Sequence, residues 1–395
     1  MAGKQGMEGG VGSGWCSLAC AAMVAALVVG GARGQDERLR LVHAQRLTGQ
    51  TIAGRVLQRL EGDVLFRQGR ASMTCDQALR DEAAGTVVLV GRVRIDTGRR
   101  RLHAERVAYN EFTRVEEAEG NPVVYDSTRK LAAERLTYFE LEERAVAQGR
   151  VMLVDTARFT SLSCERLEYF RATGYARAIG QPRLVKTDTT GQDPLVLTGE
   201  TMEVFDAGAR AVVSDSVTLT RGRLHVSCGK AEYFDDTKRI LLTASPHGRY
   251  GHDRFRGVTI EVQLSGQQVR TIVVHGDALI TSPSDSLNPE VRVNRLTGQR
   301  VTMDVVDEQI RQMTIEEQAT SLYHVVEEGE FKGINRISGD RMVLALEEGK
   351  LRRVRIESSP GKTAGVFFPP HLEGVATGGN VKGEYTQQHE ADRRL

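Results

Sequence analysis

Large apolar, small and acidic residues recur in a fixed frame along most of this chain. A large apolar residue is followed two positions later by a small residue, then by an acid, and then by a second apolar residue. Leu131-Ala132-Ala133-Glu134-Arg135-Leu136 is a clear copy. Because side chains alternate between the two faces of a strand, the large and the small residue share one face. A helix would need apolar residues three and four apart, so the frame predicts β-strands.

Nine copies of this frame align along the chain. Their first members are Met73, Leu102, Leu131, Leu162, Leu197, Val226, Phe255, Leu296 and Ile337. The steps between neighbouring first members are 29, 29, 31, 35, 29, 29, 41 and 41 residues. Such near-constant spacing indicates one supersecondary unit per copy, with loops that absorb the extra length.

A second apolar element precedes each frame. Gly62-Asp63-Val64-Leu65-Phe66 begins with glycine and then alternates, and the segments from Gly91 and Gly149 do the same. A glycine at this place predicts a turn that requires positive φ. Each repeat is therefore predicted to be strand, turn, strand. The whole chain is predicted to be an all-β, elongated stack of about nine such units.

The amino terminus has the pattern of an export signal. Lys4 precedes an apolar stretch from Trp15 to Gly31, and Ala32-Arg33-Gly34 places small residues where a signal peptidase would cleave. We therefore assign residues 1–34 to a signal peptide, with an uncleaved membrane anchor as the alternative.

Charge and cysteine content narrow the function classes further. The formal net charge is +1, so the basic surface that a nucleic-acid partner needs is not predicted. Cys75, Cys164 and Cys228 occupy the small position of the frame, two or three repeats apart. That separation exceeds the roughly 7 Å between Cα atoms that a disulfide allows. We expect buried thiols, and no metal site, since no close His or Cys pair occurs.

The acids of the frame are not predicted to be catalytic. Their positions are Asp76, Glu105, Glu134, Glu165, Glu200 and Asp340. Catalysis by two carboxylates needs a pair in different environments, whereas here each repeat has its own copy at an equivalent place. A solvent-side acid at a strand end is the simpler interpretation. The sequence predicts no enzyme and no cofactor.

The repeat that runs from Gly62 to Ala78 closely resembles that of the OstA/LptA-like family of periplasmic lipopolysaccharide-transport proteins. The shared marks are Gly-Asp-Val at the start of a strand, a glycine turn, and a strand that ends in small-acid-x-apolar. Repeats from Gly91, Gly120 and Gly149 carry the same marks. The resemblance is good from about residue 57 to 240 and extends to about 357.

The resemblance implies a V-shaped antiparallel β-jellyroll (a "β-taco") with an apolar groove that holds lipid acyl chains. It implies a periplasmic bridge protein that binds lipopolysaccharide through its lipid A acyl chains. The implied partners are an inner-membrane exporter complex and an outer-membrane assembly barrel, and end-to-end self-association is implied too. Exposing acyl carbons to water costs about 0.8 kcal/mol per CH₂, so a twelve-carbon chain needs a continuous apolar lining.

The large residues of each repeat are the groove candidates, although the same residues could instead pack into a closed core. A register slip of one residue would turn all of them to the other face. The candidates are Val64, Phe66, Met73, Val93, Ile95, Leu102, Leu131, Leu136, Val151, Leu153, Leu162, Leu167, Leu197, Met202 and Val226.

Two other functions are weighed beside the lipid bridge. A structural or adhesive exported β-solenoid would have a closed core and outward ladders, for which Tyr109, Tyr138 and Tyr169 are candidates. A polysaccharide-acting enzyme would need clustered loop carboxylates, for which only Asp188 and Asp193 offer a weak signal.

The predicted domain organisation follows from these segments. Residues 35–240 are the OstA/LptA-like jellyroll, and residues 241–357 are its continuation or a second jellyroll block. Residues 358–395 are predicted to be a flexible polar tail, because Pro369-Pro370, scattered glycines and charges dominate it.

Overall fold

The computed structural model describes residues 39–377, except residues 53–54, 188–192, 266–267, 285–291, 328–329, 348 and 361–363. The predicted export signal and the end of the predicted tail lie outside these residues. No helix in the described part is both long and apolar enough to span a membrane.

The described chain is almost entirely antiparallel β-structure, which confirms the predicted fold class. The first strands are β1 (Arg40–His43), β2 (Arg46–Ile52), β3 (Arg55–Gln68), β4 (Ala71–Asp81), β5 (Thr86–Asp96), β6 (Arg101–Asn110), β7 (Val115–Glu119), β8 (Val123–Tyr125), β9 (Arg129–Ala132), β10 (Arg135–Phe139), β11 (Arg144–Asp155), β12 (Thr160–Phe170), β13 (Tyr175–Ile179), β14 (Arg183–Lys186), β15 (Leu195–Thr198), β16 (Thr201–Phe205) and β17 (Arg210–Arg221). The remaining elements are β18 (Leu224–Phe234), β19 (Arg239–Thr243), β20 (His247–Tyr250), β21 (Asp253–Arg256), β22 (Thr259–Ser265), β23 (Gln268–Pro283), β24 (Val293–Val306), β25 (Gln309–Glu327), β26 (Glu330–Glu347), β27 (Lys350–Glu357), β28 (Ala364–Phe368) and a one-turn helix α1 (Glu373–Ala376). Short 3₁₀ turns lie at Asp206–Gly208 and Pro370–Leu372.

The chain divides into two compact units. The first contains the described residues up to Gly222 together with Lys230–Arg239. The second contains Arg223–Gly229 and the described residues from Ile240 onward.

Long strands of the first unit bend in the middle, at a pair of residues with left-handed backbone. In β11, residues 144–148 pair with β10, residues 151–155 pair with β9, and both halves pair with β12. Between the halves lie Gly149 (φ 75°) and Arg150 (φ 45°), where the register with β12 shifts. We call such a pair a corner. The corners of the first unit are Gly62–Asp63, Gly91–Arg92, Gly120–Asn121, Gly149–Arg150, Gly180–Gln181 and Asp215–Ser216.

The acid of the preceding frame contacts the corners from Gly91 to Gly180, and Gln45 takes this place at Gly62. The backbone N–H of Glu134 donates to the carbonyl oxygens of Gln148 and Gly149, both at 3.0 Å. Its carboxylate accepts a hydrogen bond from Arg150 at 2.6 Å. The sequence correctly predicts positive φ at the glycine. The corners at Gly120 and Gly180 separate two short strands, whereas Gly149 lies within β11. There the two left-handed residues bend the strand without ending it.

The corners divide the strands of the first unit into two half-sheets. Half-sheet A contains residues 57–61, 77–81, 86–90, 106–110, 115–119, 135–139, 144–148, 166–170, 175–179, 201–205 and 210–214. Half-sheet B contains residues 64–68, 71–75, 93–96, 101–104, 123–125, 129–132, 151–155, 160–164, 183–186, 195–198 and 218–220. Side chains from both line one interior cavity, so the half-sheets face each other as in a β-jellyroll.

The second unit uses the same construction with longer strands. Corners at Gly276–Asp277 in β23 and Glu317–Gln318 in β25 bend the strands. A cross-strand row on one side of these corners has no solvent exposure at any member. Its members are Ile260, Val274, Val301, Ile315 and Met342.

The structure corrects part of the predicted flexible tail. Residues 364–368 form β28, which pairs with β26, and α1 follows with Ala376 buried. β28 is an apolar segment without the alternation of apolar and polar residues that predicts a half-buried strand, and its side chains are mostly exposed. Its pairing with β26 defines it.

Candidate functional site

A continuous apolar row crosses half-sheet B from strand to strand. Each member is the direct cross-strand partner of the next. The row, here called the leucine row, consists of Phe66, Met73, Ile95, Leu102, Val124, Leu131, Leu153, Leu162, Leu184, Leu197 and Leu219. At about 4.8 Å per strand, its eleven members extend for roughly 50 Å.

A second row runs along half-sheet A, and large and small side chains largely alternate in it. This leucine–alanine row consists of Leu60, Ala78, Leu89, Val107, Ala118, Leu136, Ala147, Leu167, Ala178, Met202 and Val213. Every member is buried. Each alanine is a small side chain between two larger neighbours of the row.

The predicted groove residues lie on these inner faces. Eight of them belong to the leucine row and three, Leu136, Leu167 and Met202, to the leucine–alanine row. Val64, Val93 and Val151 lie next to the corners of half-sheet B, opposite Cys75, Ala104 and Cys164. Val226 belongs to the second unit. All are buried except Met73 and Leu197, which are half-buried. Their contact with lipid stays a prediction.

A third row on half-sheet A lies farthest from the corners. This tyrosine row consists of Val87, Tyr109, Glu116, Tyr138, Ala145, Tyr169, Ala176, Val204 and Ala211. Tyr138 and Tyr169 are only 3% and 5% exposed. An outward tyrosine ladder, considered for an adhesive β-solenoid, is therefore wrong: these side chains point inward, in phase with the leucine–alanine row.

A narrow cavity of about 50 Å³ separates the two half-sheets near the amino-terminal end of the first unit. A water molecule occupies about 30 Å³ in the liquid, so the space is small. Met73 and Ile95 line it from half-sheet B, and Val87, Leu89 and Val107 line it from half-sheet A.

Glu116 brings a carboxyl group into this apolar space. The side chain is 6% exposed, and its Oε1 has no hydrogen-bond partner among the residues that the structure describes. Burial, reinforced by the nearby charge of Glu140, raises the pKa of Glu116 to about 8. Sequence analysis missed this residue. Alignment of the repeats gives a signal for it, because the equivalent positions hold Ala145 and Ala176.

Charged side chains gather at the turns that end the half-strands, on the side away from the corners. We call this side the lip. Arg100, Arg129 and Arg171 lie near the Tyr169 ring, and Asp126 forms an ion pair with Arg129 at 3.2 Å. Burial and the neighbouring cations lower the pKa of Arg100. The lip therefore presents cationic groups at the edge of an apolar interior.

The acids of the frame lie outside the groove, on the outer side of the corners. Asp76 accepts from Arg92 at 2.9 Å, and this hydrogen bond holds the pKa of Asp76 below its usual range. Asp340 accepts from the backbone N–H of Ser359 at 2.9 Å. The solvent-side interpretation of these acids is confirmed. Of the loop carboxylates considered for an enzyme, Asp193 is exposed and Asp188 lies outside the described residues.

The cysteines of the frame occupy the places where the two strands of a corner approach closely. Cys75 lies opposite Val64 and Cys164 opposite Val151, and both are buried, as is Cys228. Burial raises the pKa of Cys75 to about 11 and that of Cys164 to about 12. Such thiols stay protonated and behave as small apolar side chains.

Comparison with known proteins finds a family model that matches the first part of the chain. A family model described as "OstA-like protein" matches residues 36–190. Among solved structures, the chain is similar to LptH from Pseudomonas aeruginosa, described as the LptA-homologous periplasmic component of the conserved lipopolysaccharide transport device. The two are 15% identical with a TM-score of 0.29, over 37% of this chain and 95% of LptH. No curated protein sequence matches. Residues 36–190, which carry most of both apolar rows, are thus similar to the OstA-like family.

Proposed function

We propose that this chain is a periplasmic lipopolysaccharide-binding bridge protein without enzymatic activity. It carries glycolipid acyl chains between the two half-sheets of the first unit, on the route from the inner to the outer membrane. The OstA-like segment, residues 36–190, supports the proposal, because the family resemblance of the repeats implies this role.

The continuous apolar inner face carries the proposal. An acyl chain of roughly twelve carbons is long and flexible, and each CH₂ group that it exposes to water costs about 0.8 kcal/mol. It therefore needs a continuous apolar surface along its whole length. The leucine row offers such a surface, because no polar side chain interrupts it from Phe66 to Leu219. The facing row is apolar as well, so both half-sheets present apolar side chains to the interior.

The charge distribution of the first unit fits an amphiphile with an anionic head group. Acyl chains between the half-sheets would leave the head group at the lip, where Arg100, Arg129 and Arg171 lie. Guanidinium groups bind phosphate by charge-assisted, often bidentate hydrogen bonds.

The proposed joint is the surface formed by the amino-terminal strands β1 and β2, with which a neighbouring subunit pairs. β1 and β2 both pair with β3, and every residue of the two strands is exposed. Leu41, Val42 and Leu47 are each more than 40% exposed. Exposed strands of this kind accept a further strand by main-chain hydrogen bonding. Self-association, an inner-membrane exporter and an outer-membrane assembly barrel are the partners that we propose.

Photo-crosslinking tests the lipid-bridge function directly. A photoreactive amino acid is placed at Leu131, which is fully buried, and separately at the neighbouring outward-facing Ala132. The full chain is expressed in lipopolysaccharide-producing cells, irradiated and probed with antibody to lipopolysaccharide. We expect crosslinks at Leu131 and none at Ala132. The pair Leu153 and Met152, one buried and one 45% exposed, repeats the comparison on another strand.

The outcomes separate function from register. Crosslinks at the inward positions alone support the function and the assigned inner face. Crosslinks at Ala132 and Met152 alone would keep lipid binding but contradict this face as the groove. Silence at all four positions in folded, exported protein would contradict the lipid-bridge function.

A structural β-solenoid with a closed core is the second candidate. The observation that favours it is the narrow interior, since the cavity of about 50 Å³ holds far less than an acyl chain. A lipid carrier must separate its half-sheets to load, whereas a structural protein stays closed. Silence in the crosslinking experiment would leave the structural β-solenoid as the better assignment.

A further inference from the structure

Glu116 is an exception within the interior of the first unit. It lies on β7 between Tyr109 of β6 and Tyr138 of β10, and it points inward with Ala118. In the next two repeats the equivalent place in the tyrosine row holds Ala145 and Ala176. An alanine there is sufficient for the fold. The carboxyl of Glu116 is therefore not required by the architecture of the repeat.

The buried carboxyl group of Glu116 destabilises the folded protein. Its side chain is 6% exposed, and within the described residues Oε1 finds no hydrogen-bond partner. A buried polar group without a partner destabilises a protein by the lost hydration. Val87, Leu89 and Val107 of the same cavity wall are apolar. A ligand that enters this cavity and supplies a hydrogen bond would remove that cost.

The polar neighbours of Glu116 lie toward the lip. Arg114 contacts the Tyr109 hydroxyl at 3.4 Å and Glu140 at 3.9 Å. These groups line the outer end of the cavity, and Met73 and Ile95 line the inner side. Glu116 therefore brings a carboxyl group between this polar end and the apolar residues of the cavity.

We propose that Glu116 forms a polar subsite for a hydroxyl group carried on the aliphatic chain of a bound amphiphile. The inference rests on the proposed function, which places aliphatic chains between the half-sheets. A hydroxyl both donates and accepts, so it suits a carboxyl group in either protonation state. Because burial raises its pKa to about 8, Glu116 is largely neutral at pH 7, which favours a neutral partner over a cation.

Binding of two matched chains tests the subsite. Octadecanoic acid and 12-hydroxyoctadecanoic acid have the same length and head group and differ by one mid-chain hydroxyl. Each is titrated against the full mature chain by displacement of a fluorescent fatty acid at pH 7. We expect the hydroxylated chain to bind about tenfold more tightly, which is the effect of one hydrogen bond to a buried group that is otherwise unpaired.

Variants assign the discrimination to one residue. Glu116→Ala copies the neighbouring repeats, so the protein should fold, bind both chains and lose the preference for the hydroxylated one. Glu116→Gln keeps a hydrogen-bonding group and should retain part of the preference. The matched control is Glu117→Ala, the adjacent outward-facing acid of the same strand, which should leave the preference unchanged.

The failures of the two proposals are distinguishable. Equal affinity of the wild-type protein for both chains would overturn the subsite and leave the lipid-bridge function standing. A preference that survives in Glu116→Ala would also overturn it, because another residue would then recognise the hydroxyl. No binding of either chain by folded protein would overturn the proposed function, and the subsite with it.

Discussion

At the scale of single residues, the carboxyl group of Glu116 is a buried polar group beside the apolar rows. Glu116 occupies an inward position between two tyrosines, where the fold requires only a small side chain. Ala145 and Ala176 show what the repeat needs there. The periodic pattern of the sequence predicts the inward phase of this position. It does not predict the burial of the carboxyl, because that depends on half-sheet B covering it.

Stability should depend on pH through Glu116. Its pKa is raised from an ordinary value of 4.5 to about 8, so between these values the folded protein holds a proton that the unfolded chain has released. The free energy of unfolding therefore falls as pH rises through this window, by at most about 1.4 kcal/mol per pH unit, and levels off above it. Urea unfolding at pH 5, 6.5 and 8 measures the slope.

The variant Glu116→Gln should flatten this slope, and Glu117→Gln on the outer face should not. The groups that face Glu116 from adjacent strands and turns are Tyr109, Tyr138, Arg114 and Glu140, and both variants retain them. Equal slopes in the wild-type protein and Glu116→Gln would show that Glu116 carries no buried proton.

At the scale of elements, the corner is the feature that turns a flat stack of strands into two facing half-sheets. Close approach at a corner requires a glycine on one strand or on the other. At Gly120–Asn121 the glycine is in the corner, and a Cβ there would collide with Glu105. At Asp215–Ser216 the corner has no glycine, and the facing strand supplies Gly199, whose Cβ would collide with Val213.

Substitution at a corner should cost more than at an ordinary turn. Gly98 and Gly120 both have φ of 80°, but a Cβ at Gly98 meets no atom within 4 Å. Gly98→Ala should therefore lower the free energy of unfolding by about 1–2 kcal/mol, from backbone strain alone. Gly120→Ala adds a collision and should cost roughly 3–5 kcal/mol. Urea denaturation of both variants gives the comparison, and equal losses would contradict the role of the corner.

The strands and corners also show which parts of the fold the sequence predicts. Alternation of large and small residues placed Leu131, Leu153 and Leu162 on the inner face, because strand period alone decides which side a residue takes. The bending of the strands into two facing half-sheets could not be predicted from this alternation. A glycine with positive φ is common to turns and to bulges, and only the cross-strand pairing distinguishes them. β28 was missed because its short apolar sequence, between glycines and the Pro369-Pro370 pair, does not alternate.

At the scale of the whole molecule, the exposed amino-terminal strands should govern self-association. A lysine on an edge strand opposes pairing with another chain. We expect the double variant Val42→Lys and Leu47→Lys to remain monomeric at concentrations where the wild-type chain associates. Light scattering after size-exclusion chromatography, over a concentration series, measures the molar mass.

The control for this experiment is Leu141→Lys, a change at an exposed leucine in a turn away from β1 and β2. It adds charge without touching the edge strands, so association should persist. Association that survives the double variant, or a wild-type chain that is monomeric throughout, would contradict the proposed joint.

The number of corners also determines the length of the leucine row. Corners at Gly62, Gly91, Gly120 and Gly149 are 29 residues apart, and each such period adds two strands to each half-sheet. The leucine row therefore grows by about 10 Å per period, irrespective of what lies at either end. The row lengthens by repetition of the same pairing between neighbouring strands. Under the proposed function, the number of periods in a chain therefore sets the distance over which it covers an acyl chain, and one period is the smallest step by which this distance changes.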